Sequence, residues 1–269
     1  MTRHEAGLET FEVLRNEQAA EGIWRMDCRT RVAQRISAGQ FVNVSVPGDG
    51  SHILRVPLSF SDAADDRLTL EYAVVGEGTR RLSRMRIGET STLVGPCGVG
   101  WRALEGEGRA LLVAGGIGLP PIVACARMLA RSNLGFDAVV GAQTAARHLS
   151  DDIEALRSMP PEAGCDCSGR VVLTTDDGTL GVGGFTTDVM RSLVRERGYA
   201  QVYACGPQPM LAAVASIALE AGAECQVSLE RMMGCGFGAC SCCNVALRDG
   251  GYALCCQDGP VFDAREVAW

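Results

Sequence analysis

The chain has 269 residues, 47% of them hydrophobic and 21% charged, and carries a net charge of −7. That composition provides for two globular domains and a smaller third lobe, and the lack of a basic tract excludes a nucleic-acid partner, whose phosphates call for clustered Lys and Arg. No apolar stretch approaches the roughly 18 uninterrupted residues of a membrane span, and the charged opening MTRHEAGLETFEVLRNEQ lacks a signal-peptide core, so a cytoplasmic location is expected.

From residue 8 to about 102 the chain reads as β. FVNVSV (41–46), RLTLEYAVV (67–75) and TSTLVG (90–95) alternate or are rich in β-formers, with Gly and Pro between them. Strands at this spacing predict a small antiparallel barrel over 1–103. Within it, LRVPLSF (54–60) runs through Pro57 and Leu58 to a hydroxyl, Ser59. Taken alone, it is an edge-strand turn or a ligand contact. The GEGT that follows opens a helix at Gly78 and Thr79, whose free N–H groups suit a pyrophosphate or form an ordinary cap.

LEGEGR (104–109) is a charged link, and beyond it the pattern changes. Strands ALLVA (110–114), FDAVVGAQ (136–143), RVVLTTDDG (170–178) and QVYACG (201–206) alternate with the helical runs IVACARMLARS, GFTTDVMRSLVRERG and PMLAAVASIALEAG. This predicts a Rossmann-like α/β domain over 108–223, a parallel sheet covered by helices, with SMPPEAGCDCSG (158–169) as a surface loop. Gly115, Gly116 and Gly118 permit a tight strand-to-helix turn, and Cys205, Gly206, Pro207 and Met210 close another strand. Two such turns at strand ends predict a nucleotide site. GAQTAARHL offers only Arg147 to a 2′-phosphate, so NADH is expected over NADPH. Asp176–Asp177 either contacts a ribose hydroxyl or forms a turn.

The remaining 224–269 forms a Gly- and Cys-rich lobe. Six of the 13 cysteines lie between Cys235 and Cys256; scattered ones such as Cys28, Cys97 and Cys125 read as small buried hydrophobes. Cys235, Cys240 and Cys243 give C-x4-C-x2-C with further cysteines downstream, the spacing of plant-type [2Fe–2S] ligation. Gly236 and Gly238 let one loop wrap a cluster closely. Zinc is the alternative, with Cys240–Cys243 as one knuckle and Cys255 or Cys256 in another, but no second clean pair exists. His4, His52 and His148 have no ligand spacing. Met232 and Met233 are expected to pack the cluster loop.

Taken in order, LRVPLS, GEGT, AGGIGLPP, TTDDGTLGVGGF, CGPQPM, VSLERMMGCGFGACSCC and CQDGPVF resemble the electron-transfer subunit of class 1B dihydroorotate dehydrogenase, a ferredoxin-reductase-like family. The resemblance makes the barrel a flavin domain. It carries FAD contacts over to Pro57, Leu58, Ser59, Tyr72, Ala73, Gly78 and Thr79. It places the fourth cluster ligand directly before x-D-G-P-V-F, at Cys256 rather than Cys255. It implies FAD, a [2Fe–2S] cluster and NAD(H) as cofactors, and no catalytic acid–base residue of the chain's own. The implied partner is an FMN-containing dihydroorotate dehydrogenase-like subunit of pyrimidine biosynthesis, two copies of each in a hetero-oligomer. Two departures stand out: Val56 replaces the family's usual FAD-phosphate arginine, with Arg55 one place earlier, and Ala114 stands where Gly is more usual. The rival readings are a subunit of a hydrogenase- or transhydrogenase-type complex and a zinc-stabilised nucleotide-binding regulator.

Overall fold

The computed structural model describes residues 6–48, 50, 53–103, 108–159 and 169–269. Six strands close the N-terminal barrel: β1 (Gly7–Ala20), β2 (Ile23–Arg29), β3 (Phe41–Val44), β4 (Val56–Ala64), β5 (Arg67–Ala73) and, after the short helix α1 (Glu77–Leu82), β6 (Thr90–Cys97). They are antiparallel, in the order β1-β2-β5-β4-β3-β6 around the barrel. Alternation turns one side of each strand inward, so Phe11, Val13, Met26, Val42, Val44, Leu68 and Leu70 fill the interior. Closure leaves no free sheet edge.

The nucleotide domain contains β7 (Ala110–Gly115), α2 (Leu119–Arg131), β8 (Phe136–Ala142), α3 (Ser150–Ser158), β9 (Val171–Thr175), β10 (Val182–Gly183), α4 (Thr186–Glu196), β11 (Gln201–Cys205), α5 (Gln208–Glu220) and β12 (Glu224–Ser228). The sheet order is β10-β9-β8-β7-β11-β12, all parallel, with one antiparallel edge strand added from the C-terminal lobe. β7 and β8 are buried along their whole length because helices cover both faces. The chain winds outward from β7 in one direction and restarts at β11 in the other. That makes the gap between the carboxyl ends of β7 and β11 the switch point, where open α/β sheets take ligands.

The C-terminal lobe consists of the hairpin β13 (Asn244–Ala246) and β14 (Tyr252–Leu254) and the edge strand β15 (Val261–Asp263), which pairs with β12. The boundary expected at residue 224 thus falls on β12, a strand hydrogen-bonded into the nucleotide sheet. Cys243, Val245, Cys255, Cys256 and Phe262 share a core with α4 and α5, so lobe and sheet are packed as one layer. Residues 104–107 of the expected link and 160–168 of the expected loop lie outside the described residues.

Barrel and nucleotide domain meet along α2 and α3. Ala124 of α2 joins the barrel core, and Arg127 pairs with Asp62 of β4 at 3.4 Å. Arg25 of β2 donates to Glu71 at 2.8 Å and to Asp151 and Asp152 of α3. Glu71 and Asp152 are buried and share this one guanidinium, whereas Asp151 is exposed. Burial, with the charge of Asp152 added, pushes Glu71 up to about 8.

Candidate functional site

The cluster loop runs without regular structure from β12 to β13 and lies on the outer side of β3 and β6. Phe41 and Cys97 of the barrel pack in the same core as Met233 and Cys243 of the loop. Gly236 and Gly238 take φ of +79° and +89°, conformations that favour glycine. A side chain on either would run into protein, the Asn43 amide at Gly236 and the Gln257 side chain at Gly238.

Backbone N–H groups link the cysteines into two pairs, Cys235 with Cys240 and Cys243 with Cys256. The Ala239 N–H donates to Cys235 Sγ at 3.2 Å and the Cys235 N–H to Cys240 Sγ at 3.4 Å. Desolvation pushes Cys235 up, but the N–H groups of Phe237, Cys240 and Ala239 outweigh it and bring the thiol down to about 7. The Cys255 N–H donates to the Cys243 carbonyl at 2.9 Å and the next N–H, of Cys256, to Cys243 Sγ at 3.4 Å. Those two bonds stitch the downstream turn to the loop.

Two thiol pairs suit two irons, each taking two thiolates. A single zinc ion would need all four sulfurs around one point. The donor set and its pairing therefore fit a [2Fe–2S] cluster. Cys255 turns away: it is fully buried and donates to the Leu229 carbonyl at 3.2 Å. Cys242 is exposed. Met233 packs the loop as expected, whereas Met232 is 81% exposed. A groove of about 520 Å³ leads from Leu8 and Val94 of the barrel to Gly236, Phe237 and Cys256.

On the barrel, β4 presents Val56, Pro57, Leu58 and Ser59 opposite Val44, Asn43, Val42 and Phe41 of β3. Arg55 is committed elsewhere: its guanidinium donates to the Thr92 carbonyl at 3.0 Å and the Thr92 hydroxyl at 3.1 Å. Tyr72 is buried and donates to Asn16 at 3.0 Å; Ala73 follows it at the end of β5. The Thr79 hydroxyl accepts from the N–H groups of Val75 and Gly76 at 3.1 and 3.2 Å, capping α1 beside the buried Gly78.

At the switch point, β7 and β11 run in register with Ala114 opposite Cys205. Gly115 and Gly206 bring their turns into contact, with Met210 and Pro207 packed on Gly115. A Cβ on Gly118 would strike the Cys205 carbonyl. Gly116, at φ +55°, faces open space. The two sequence-distant turns thus form a single crevice. Asp177 serves the turn, accepting from the Thr179 N–H at 3.0 Å and hydroxyl at 2.6 Å. His148 is buried against the Thr174 carbonyl; His4 and His52 lie outside the described residues. Cys28, Cys97 and Cys125 are all buried.

Sequence reasoning missed Asn43, Thr92 and Gln257, which meet the loop and the flavin motif only through tertiary contact. It also missed the Arg25–Glu71–Asp152 seam. No spacing in the chain signals any of them.

Comparison with known proteins agrees with this geometry. Residues 230–268 match the family model of the iron–sulfur cluster binding domain of dihydroorotate dehydrogenase B, and residues 112–216 that of the oxidoreductase NAD-binding domain. The chain is 34% identical to the dihydroorotate dehydrogenase B (NAD(+)) electron transfer subunit of Caldanaerobacter subterraneus subsp. tengcongensis, covering 95% of this chain and 96% of that one. It is 36% identical to the same subunit of Geobacillus kaustophilus, over 97% and 98%. Among solved structures it resembles a chain of an NADH-dependent reduced ferredoxin-NADP oxidoreductase, with a TM-score of 0.81 at 28% identity over 96% of this chain and 89% of that one.

Proposed function

The chain belongs to the family of electron-transfer subunits of dihydroorotate dehydrogenase B, and on that premise we propose that it relays electrons between NAD(H) and an FMN-containing catalytic partner. When bound, FAD exchanges an electron pair with the nicotinamide as a hydride and the [2Fe–2S] cluster carries electrons onward singly. The observation that carries this reading is the N–H···S pairing of Cys235 with Cys240 and of Cys256 with Cys243 on a loop seated against the barrel.

Each part of the chain has a binding task. Cys235, Cys240, Cys243 and Cys256 hold the cluster. Pro57, Leu58, Ser59, Tyr72, Ala73, Gly78 and Thr79 line the flavin. With Arg55 tied to Thr92 and Val56 apolar, the FAD phosphates rest on backbone N–H groups rather than on this pair of positions. Gly115, Gly116, Gly118, Cys205, Gly206, Pro207 and Met210 form the nicotinamide-nucleotide crevice, and the absence of a basic cluster after β8 favours NADH. The partner docks over the groove at the cluster loop, where Leu8, Met232 and Phe237 are 66%, 81% and 48% exposed. Two copies of each subunit assemble in the cytoplasm, the barrel and the nucleotide domain divide near 103–108, and the cluster lobe follows β12.

The isolated chain should reduce ferricyanide with NADH, yet oxidise dihydroorotate only after its FMN subunit is added. Turnover of dihydroorotate by the chain alone, at the rate of the complex, would contradict the relay. A second reading, with the same relay serving another redox partner, draws support from the likeness to the ferredoxin-NADP oxidoreductase. Co-purification from the native host, with identification of the associated chain, separates the two.

A further inference from the structure

We propose that Asn43 is a positioning residue for the cluster: its side-chain amide fixes the Cys235–Gly236 peptide, and through it the N–H groups that raise the cluster's reduction potential. This deepens the relay reading and rests on it.

Asn43 lies on β3 directly opposite Pro57 of the flavin motif. Its neighbours Val42 and Val44 fill the barrel, while Asn43 points to the other side and is fully buried. Its Nδ2 donates to the Cys235 carbonyl at 2.9 Å. Its Oδ1 is buried with no hydrogen-bond partner.

A buried, unsatisfied oxygen is destabilising, and a β-branched apolar residue would suit this strand better. Asn43 is therefore poorly explained as a barrel residue. The amide also has one usable orientation, because a flip would set Oδ1 against the Cys235 carbonyl.

The bond has a consequence on its far side. A trans peptide is planar, with C=O and N–H pointing in opposite directions. Holding the Cys235 carbonyl towards the barrel turns the Gly236 N–H away from it, into the loop. Gly236, at φ +79°, leads straight on to Ala239, whose N–H donates to Cys235 Sγ at 3.2 Å, and to Cys240, whose Sγ accepts from the Cys235 N–H at 3.4 Å. Backbone donors aimed at cluster sulfurs stabilise the more negative, reduced state and so raise the potential. The amide occupies the space that a Cβ on Gly236 would take, so the two residues are in direct contact.

The test uses the full-length protein, isolated with FAD and cluster, in a redox titration followed by low-temperature EPR and visible absorbance. Asn43→Ala should keep its FAD and the flavin's potential, while the cluster's midpoint moves to a more negative value and its EPR g-values shift. A cluster midpoint and g-values identical to wild type would overturn the inference. If Asn43→Ala holds FAD but assembles no cluster, Asn43→His decides, because it keeps an N–H donor: a restored cluster supports the role and equal loss overturns it. Gly236→Ala supplies an independent arm. It should lose more iron per flavin in the wild-type background, where the Cβ meets the amide, than in Asn43→Ala; equal loss in both counts against the clamp. Absence of a [2Fe–2S] signal from the wild-type protein would fail the relay reading itself, whereas a wild-type signal that Asn43→Ala leaves unmoved fails this inference alone.

Discussion

The cluster loop and the nucleotide crevice are both glycine-rich turns, yet they recognise their ligands by opposite means. On the proposed reading, four thiols hold the cluster in the loop and the glycines let protein pack closely behind them, Asn43 at Gly236 and Gln257 at Gly238. In the crevice, the shape of two turns does the binding, and Gly115, Gly118 and Gly206 matter for the atoms they lack. The loop should therefore fail when a thiol is removed, whereas the crevice, which has no such ligand to lose, should fail when bulk is added.

The largest effect should come from the loop. Cys256→Ser removes one thiolate from a four-thiolate site and should abolish the iron signal, while NADH-to-dye activity persists through FAD. Cys255→Ser should keep its iron, because a hydroxyl can still donate to the Leu229 carbonyl. Iron analysis of both variants checks this; loss in Cys255→Ser with retention in Cys256→Ser reverses the ligand assignment.

The seam between barrel and nucleotide domain stands outside both turns and serves as the control. Arg25→Met removes the counter-charge of buried Asp152 and a hydrogen-bond donor to Glu71, at a cost of about 3–5 kcal/mol, and should leave the cluster spectrum unchanged. The seam also responds to pH. Glu71 has its folded value raised from 4.5 to about 8 by burial and by Asp152, so the folded protein keeps a proton that the unfolded chain gives up. Its contribution is complete below 4.5 and lost as pH rises towards 8. Melting temperatures should fall across that window, and Glu71→Gln should flatten the slope. An unchanged slope would mean that Glu71 is ionised throughout.

The crevice should respond to added bulk. Gly118→Ala drives a methyl into the Cys205 carbonyl, costing about 3 kcal/mol at the upper end of ordinary overpacking. The KM for NADH should rise while flavin and iron content hold. The smallest effect concerns the flavin. Val56→Arg should tighten FAD retention by about 1.5 kcal/mol, the low end for a hydrogen bond to a charged group. Unchanged retention in gel filtration would show that the phosphates already have their partner.

Legibility followed the same division. Thiols at fixed spacing are visible in a sequence, and C-x4-C-x2-C located the loop without any tertiary knowledge. The choice of Cys256 over its neighbour came from resemblance, and the bond from Cys255 to the Leu229 carbonyl is consistent with it. Strand alternation and βα periodicity gave the barrel and the parallel sheet, because each buries its apolar side at a fixed period. What stayed hidden depends on partners distant in the chain. Arg55 stands one place from the usual phosphate arginine in one dimension, but in three it is held by Thr92. Asn43 reads as one polar residue in a strand, but its amide meets a carbonyl 192 positions away. The lobe boundary blurred because β12 and β15 continue the sheet past the point where the composition changes.

The most direct test of the relay is an anaerobic NADH titration of the purified protein, followed by flavin absorbance and low-temperature EPR in the same samples. Electron flow through both centres predicts that the flavin bleaches and a reduced [2Fe–2S] signal grows with it in the wild type, while Cys256→Ser shows the bleaching alone. A flavin that bleaches in the wild type with no iron–sulfur signal at any NADH level would contradict it.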